Sequence, residues 1–328
     1  MNNESPAPKR RRKRKGLKGS VPTPSDDRLL RLTFLHSRYW LWWLVLGLLR
    51  LVVTMPQPVR LAVGAMLGAM AWRFARERRE VVFRNLELCF PEWTAEERYR
   101  VARENFRSLG IAVVELGMGW WVSDAKLDSL FEVEGREHVE AAQRAGRGVL
   151  LLTCHMTTLE VGGRMFARVA PYRALYQESP NPLISTIFRR SRRARLEDVI
   201  SNNDMRGTVR ALRDGAWIWF APDQNVTFKR GGIFVPFFGV QASTTPAAAR
   251  LAKRTGCLVL PYYPVRTPEG RYRLIIEPAL KDFPGEDMTA ATARINGVIE
   301  RWARAHPGQY YWFHKRFKKR PKGEPGVY

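Results

Sequence analysis

Cysteine is scarce in this chain, and its three residues, Cys89, Cys154 and Cys257, stand far apart with no paired spacing. That excludes a disulfide framework or a zinc knuckle as the organising device and favours a reducing compartment. The five histidines fall in no His/Cys ligand cluster, so neither a metal site nor a cofactor is expected. Acidic residues are few: 31 Asp and Glu stand against 55 Lys and Arg, a formal charge of +24. Such a deficit points to anionic partners, among them nucleic acid, a phospholipid surface, an acidic carrier protein or a phosphorylated substrate. There is no internal repeat, RNP motif, GxxG clamp or zinc finger, so nothing beyond charge and the aromatics interleaved with the basic run over 314–321 supports nucleic-acid binding.

Long apolar runs are also lacking. The most hydrophobic stretch, YWLWWLVLGLLRLVVTM over 39–55, has seventeen residues and contains Arg50, short of the roughly 20 that a full span needs. It lies too far in, and lacks a small-residue cleavage site, to be a cleavable signal. Tyr39, Trp40, Trp42 and Trp43 crowd one end, as aromatics do at a bilayer interface. A Gly- and Ala-rich segment follows over 59–74, positioned to return through the bilayer or lie along its surface. Basic residues flank both sides, which favours a shallow hairpin or interfacial anchor with both flanks cytoplasmic. A buried helix pair in a soluble core is the bland alternative. The expected organisation is a disordered basic tail over 1–27 with a lead-in to 36, a membrane anchor over 37–75, and an α/β domain over 76–328. The tail carries eight Lys or Arg within residues 9–18, enough to hold anionic headgroups.

With 45% hydrophobic residues in 328, the chain can bury one large core and a smaller appendage. Thr94-Ala-Glu-Glu97 reads as a capping box opening a helix that runs to about Trp121. Strand-like runs at 129–134, 148–154, 172–177, 216–221, 257–265 and 271–277 then alternate with helix-like runs at 136–145, 158–168, 182–198, 205–213, 244–255 and 287–305. This alternation predicts an α/β fold with a mixed, largely parallel sheet flanked by helices.

His155 and Glu160 are the most informative residues. An apolar run over 148–153 ends at a histidine, and a helical pattern carries a carboxylate five positions on. Five residues turn about 500° around a helix, so the two side chains meet only if His155 lies in the strand-to-helix loop and Glu160 in the first helical turns. A carboxylate so placed orients an imidazole as a general base acting on a hydroxyl. The competing reading is a loop histidine followed by a glutamate favoured by the helix dipole.

Several other segments can carry chemistry. Ala-Pro-Asp223-Gln224-Asn225 follows a strand, where α/β sheets place ligands, although the same residues serve as turn chemistry. Phe234-Val-Pro-Phe-Phe-Gly239 suits an acyl-chain channel or plain core packing, and Ser243-Thr-Thr-Pro246 offers a helix start with free N–H groups. Arg189, Arg190, Arg192, Arg193 and Arg195 cover most of one helix, some facing solvent and some able to hold phosphates. A second basic patch, His314 to Pro321, is interleaved with aromatic residues. Cys154 is poorly placed as a nucleophile, because neighbours in extended chain point to opposite faces.

Taken in order, these segments resemble the late acyltransferases of lipid A biosynthesis, within the glycerolipid acyltransferase superfamily that carries a His-x4-Asp/Glu motif. The likeness runs from about Ser37 to the C-terminus. It rests on His36-Ser-Arg-Tyr-Trp40, Asn85-Leu-Glu-Leu-Cys-Phe-Pro91, Glu104-Asn-Phe-Arg-Ser-Leu-Gly110, Val133-Glu-Gly135, His155–Glu160, Ala221-Pro-Asp-Gln224, Phe234-Val-Pro-Phe-Phe238 and Gln309 to Pro321. The resemblance implies a glycerolipid-acyltransferase-like fold, an inner-membrane location facing the cytoplasm, and acyl transfer from acyl carrier protein to a hydroxyl of an acyl chain on a lipid A precursor. It implies His155 as general base with Glu160 as its orienting partner, and Asp223 as a site residue without a defined role. Two departures stand out. Gln177 replaces an arginine of the family, and Arg195 falls one position late in an arginine pattern, leaving Arg192 to carry part of a phosphate or oxyanion role. Another glycolipid or glycerol-phosphate acceptor, or a basic membrane protein without activity, remains as an alternative.

Overall fold

The computed structural model describes residues 29, 32–176, 179–201, 204–227 and 231–328; the basic tail over 1–27 and Gln177 lie outside them. Helices α1 (Trp40–Thr54), α2 (Gln57–Phe74), α3 (Arg76–Cys89) and α4 (Ala95–Trp121) come first. The Thr94 hydroxyl accepts the Glu97 N–H and the Glu97 carboxylate accepts the Thr94 N–H, closing the capping box that starts α4. Its last carbonyls are covered by arginines from distant sequence: Arg164 donates to those of Met118 and Gly119, and Arg195 to that of Trp120. Cationic donors at a helix C-terminus satisfy orphan acceptors and oppose the dipole.

The Gly- and Ala-rich character of α2 has a packing reason. A Cβ on Gly68 would lie 2.4 Å from the Phe106 carbonyl oxygen, and one on Gly110 would lie 2.2 Å from the Gly64 oxygen. Helices α2 and α4 thus touch backbone to backbone along a seam of Gly64, Gly68 and Gly110. Gly68→Val is expected to destabilise the fold by about 1–3 kcal/mol through overpacking, read as a fall of several degrees in Tm. The opposite side is apolar and uncovered: Trp40, Leu41, Leu44, Leu48 and Leu51 of α1 and Met66, Met70 and Phe74 of α2 are all exposed. Among the described residues no helix is long and apolar enough to cross a membrane.

Beyond α5 (Asp124–Asp128) the chain alternates as the periodicity predicts: β1 (Phe131–Glu134), α6 (Arg136–Arg144), β2 (Val149–Leu152), α7 (Leu159–Ala167), β3 (Arg173–Tyr176), α8 (Pro182–Arg193), β4 (Asp198–Ser201), α9 (Met205–Arg213) and β5 (Trp217–Phe220). There follow β6 (Ile233–Phe237), β7 (Val240–Thr244), α10 (Ala247–Thr255), β8 (Leu258–Arg266), β9 (Tyr272–Ile276) and α11 (Met288–Ala305). Seven strands form one sheet in the order β1-β9-β8-β2-β5-β3-β4. Every neighbouring pair is parallel except β8 with β9. Strand β2 is central and entirely buried, as its uninterrupted Val-Leu-Leu-Leu requires. Leu150 and Leu152 pack on one face with α3, α4 and α9–α11, while Val149 and Leu151 pack on the other with α7.

Two segments differ from expectation. The helix predicted over 182–198 stops at Arg193, and Asp198–Ser201 forms the edge strand β4. Ile233–Thr244 is an antiparallel hairpin whose turn residues Phe238 and Gly239 both have positive φ, 53° and 73°, the geometry of a type I′ turn; Ser243 and Thr244 belong to its second strand, and Pro246 caps α10 as a helix start there predicts. Phe237 and Phe238 are buried in the main core rather than lining a channel.

Candidate active site

Parallel pairing of β2 with β5 creates the site. Leu152 stands opposite Phe220 at the last paired position, and the Thr153 N–H continues the ladder to the Phe220 oxygen. The chain leaves each strand there, and three residues further on lie His155 and Asp223. Both therefore emerge at the C-terminal edge of the sheet, where open α/β sheets hold ligands.

The two side chains meet. His155 Nδ1 lies 2.6 Å from Asp223 Oδ1, and the His155 backbone N–H donates to Oδ2 at 2.9 Å. Tyr310 also donates its hydroxyl to Oδ2, at 3.1 Å. Burial alone would raise the Asp223 carboxyl, but the His155 charge, the two hydrogen bonds from His155 and nearby Arg316 outweigh it and bring it down to about 2. Asp223 is thus an anion with 3% of its surface exposed. Burial alone would lower the His155 imidazole, yet the Asp223 charge and hydrogen bond leave it above its ordinary value. A carboxylate accepts only, so in the neutral ring Nδ1 carries the proton and Nε2 keeps its lone pair. The His155 side chain is 25% exposed, into a crevice also lined by Asn85, Gln224, Tyr311, His314 and Arg316.

The loop carrying His155 is tied down from three sides. The His155 carbonyl accepts from Tyr311 N–H, Met156 bridges to Tyr310, and Thr157 N–H donates to Gln309. Asn85 and Asn105 reach the same C-terminal segment: Asn85 donates to the carbonyls of Trp312 and His314, Asn105 to those of Gly308 and Tyr310. Thr157 shares a hydrogen bond with Ser108, which is joined to a buried pair in which Arg266 grips both oxygens of Glu115. Removing one partner of such a pair strands a buried charge. His314 accepts the Asn225 N–H on Nε2, and burial holds its imidazole down at about 4, so it is neutral and fixes the Asp223 loop.

Glu160 sits in the first turn of α7, as predicted, but the carboxylate that meets His155 is that of Asp223. Glu160 instead pairs with Arg192 of α8 at 2.9 Å, and the Arg192 guanidinium also lies over the Phe188 ring. Once α7 begins, Glu160 is rotated toward α8, where a guanidinium satisfies it locally, whereas Asp223 reaches His155 across adjacent strands. Arg192, Arg195, Arg164 and Ser191 line a second crevice with Glu160, backed by Leu159, Ala174, Leu196 and Trp219. Arg195 points at the Trp120 carbonyl rather than standing alone in it. Cys154 is fully buried, and that burial pushes its thiol well up, so it is no nucleophile.

Pattern reading marked His314 to Pro321 and its aromatics only as a basic patch, so the places of Tyr310, His314 and Arg316 at the site were missed, and Asn85 appeared only in a family segment. A histidine backed by a buried carboxylate at the edge of the sheet is a pair able to take a proton from a bound hydroxyl. The chain belongs to the bacterial lipid A biosynthesis acyltransferase family, whose sequence model matches residues 30–319, and it is an acyltransferase. It is 40% identical over 296 residues to the lipid A biosynthesis lauroyltransferase of Escherichia coli K12, covering 90% of this chain and 96% of that one. It is 41% identical over 297 residues to the palmitoleoyltransferase of the same organism, with the same coverage. A lipid A biosynthesis acyltransferase of Haemophilus influenzae is 34% identical over 304 residues, 90% of this chain and 96% of the relative.

Proposed function

We propose that this enzyme transfers a fatty acyl group from an acyl carrier protein thioester to a hydroxyl on an acyl chain of a phosphorylated lipid A precursor. His155 Nε2 takes the hydroxyl proton as the oxygen attacks the thioester carbonyl. Buried Asp223 holds the ring in the right tautomer and stabilises the imidazolium that forms. The tetrahedral intermediate collapses with departure of the thiolate, which recovers the proton from His155. No covalent acyl-enzyme is required, because the thioester is already activated. Glu160 and Arg192 form the polar rim of the neighbouring crevice, and Arg192 with Arg195 gives an acceptor phosphate its counter-charge. The observation that carries the reading is the His155–Asp223 pair at the open edge of the sheet, in a chain whose family is named for lipid A acylation.

The assay that tests it offers the purified protein a panel of carrier-protein thioesters and lipid A precursors, with products read by mass spectrometry. A precursor heavier by one acyl group is expected. Acylation of glycerol phosphate or another glycolipid in its place would move the acceptor assignment without changing the chemistry.

The enzyme works on the cytoplasmic face of the inner membrane, held by the exposed apolar side of α1 and α2. Their length and exposure suit lying in the interface rather than spanning it. Replacing Leu41, Leu44 and Leu48 with Gln is expected to weaken partition into liposomes by at least about tenfold, since burying each leucine fully is worth roughly 1.5–3 kcal/mol. Flotation with liposomes checks this, and unchanged flotation would place the membrane contact elsewhere.

A further inference from the structure

The acyl donor has to be recognised as well as its thioester. Helices α9 and α10 pack side by side on one face of the sheet, and a groove between them is lined by Arg206, Arg210, Arg213, Arg250 and Arg254. On α9 the arginines recur at i, i+4 and i+7, on α10 at i and i+4, so each set forms one stripe along its helix. Val209 and Leu251 form the buried floor of the groove, while Leu212 and Ala248 turn into the core. All five arginines are exposed, and none has a carboxylate partner within salt-bridge distance among the described residues. Arg213 donates only to the Arg254 carbonyl, and Asp214 is the groove's one acid. Unpaired like charges held this close repel one another, which destabilises the free protein and is relieved by an anionic partner.

The groove leads toward the chemistry. Helix α9 precedes β5 and α10 precedes β8, so both helix N-termini lie at the sheet edge from which His155 and Asp223 emerge. Thr245, at that end of the groove, adjoins Thr244, whose hydroxyl accepts from Arg316, and Arg316 lines the His155 crevice. A membrane is a poor fit for this surface, because the large exposed apolar residues cluster on α1 and α2, and the groove itself offers chiefly Met205. Two arginine stripes flanking a concave channel match a helix that carries acids at i, i+4 spacing, with Met205 as an apolar contact at the rim.

We infer that the α9–α10 groove is the docking surface for an acidic helix of the protein that delivers the acyl thioester, an inference that rests on the carrier-protein donor proposed above. The test compares the full-length enzyme with Arg206→Glu/Arg210→Glu and Arg250→Glu variants, and with an Arg206→Lys/Arg210→Lys control. Acyl carrier protein thioester is the donor in kinetics, and carrier protein binding is followed separately by fluorescence anisotropy. Charge reversal is expected to raise KM for the donor and weaken carrier binding by at least about tenfold, with kcat at saturation close to wild type and steep salt dependence in the wild type. The lysine control should stay near wild type. Donor kinetics and carrier binding unchanged by charge reversal would overturn the docking site while leaving the donor intact. A wild type that neither binds the carrier nor uses its thioester would instead overturn the donor reading, and the docking site with it. Loss of binding to phosphatidylglycerol vesicles with unaltered carrier kinetics would make the groove a lipid-facing surface and also overturn the inference.

Discussion

His155→Ala should lower kcat by about 10²–10⁴-fold, the usual worth of general-base assistance, while the protein still folds and binds its substrates. The size follows from the geometry. Nδ1 is committed to Asp223 at 2.6 Å, leaving Nε2 as the ring nitrogen able to act as the base. The other candidate nearby, Cys154, is fully buried with its thiol pushed up, and His314 is engaged with the Asn225 N–H. Among the described residues lining the crevice, no other side chain is placed to take the proton. Folding should survive, because the bonds anchoring the loop are mostly main-chain ones that alanine keeps: His155 N–H to Asp223, Tyr311 N–H to the His155 carbonyl, and Thr157 N–H to Gln309. Single-turnover kinetics with a carrier-protein thioester would measure the loss, with circular dichroism confirming the fold. Turnover within a few-fold of wild type would remove His155 from the chemistry.

Asp223→Asn should lower kcat by a comparable factor, about 10²-fold or more, and it should also change the pH profile. In the wild type, activity falls on the acid side as His155 takes up a proton, at a pH above the ordinary imidazole value because Asp223 favours the charged ring. Without that charge, burial dominates, so the acid limb should move to lower pH. Glu160→Gln should leave that limb in place, because its carboxylate is paired with Arg192 rather than with the imidazole. A limb that moved with Glu160 and not with Asp223 would reverse the assignment of the two acids. Stability gives a second readout. Asp223 is depressed to about 2, so its contribution is complete above the unfolded value of roughly 4 and is lost as pH falls through about 2. His155 is raised, so its share is complete below roughly 6.5 and is lost as pH rises through its folded value. The Asp223→Asn variant should therefore lose stability most between those limits, where both groups are charged in the wild type.

Periodicity gave the alternating helices and strands closely, because a buried parallel strand such as Val149–Leu152 has no polar face to hide and a capped helix such as α4 announces its start. It failed at short edge elements. Strand β4 has four residues directly after a helix rich in arginine, and the β6–β7 hairpin turns on Phe238 and Gly239, a pair without the Asn-Gly or Asp-Gly signal. The apolar segment over 39–55 and the Gly-rich one after it were legible as a special region, but only packing revealed that the glycines of α2 face α4 while the large side chains face outward.

By itself the sequence determined the α/β class, the basic character, and the histidine at the end of a buried strand, since each depends on residue type and local spacing. Only the tertiary structure decided which acid serves that histidine. Asp223 is 68 positions away from it and Glu160 only five, yet adjacent parallel strands deliver the distant carboxylate to the ring while helix rotation sends the near one to Arg192. The same holds for the five arginines between α9 and α10, which lie more than thirty positions apart in two sets and become one charged groove only when the sheet sets their helices side by side.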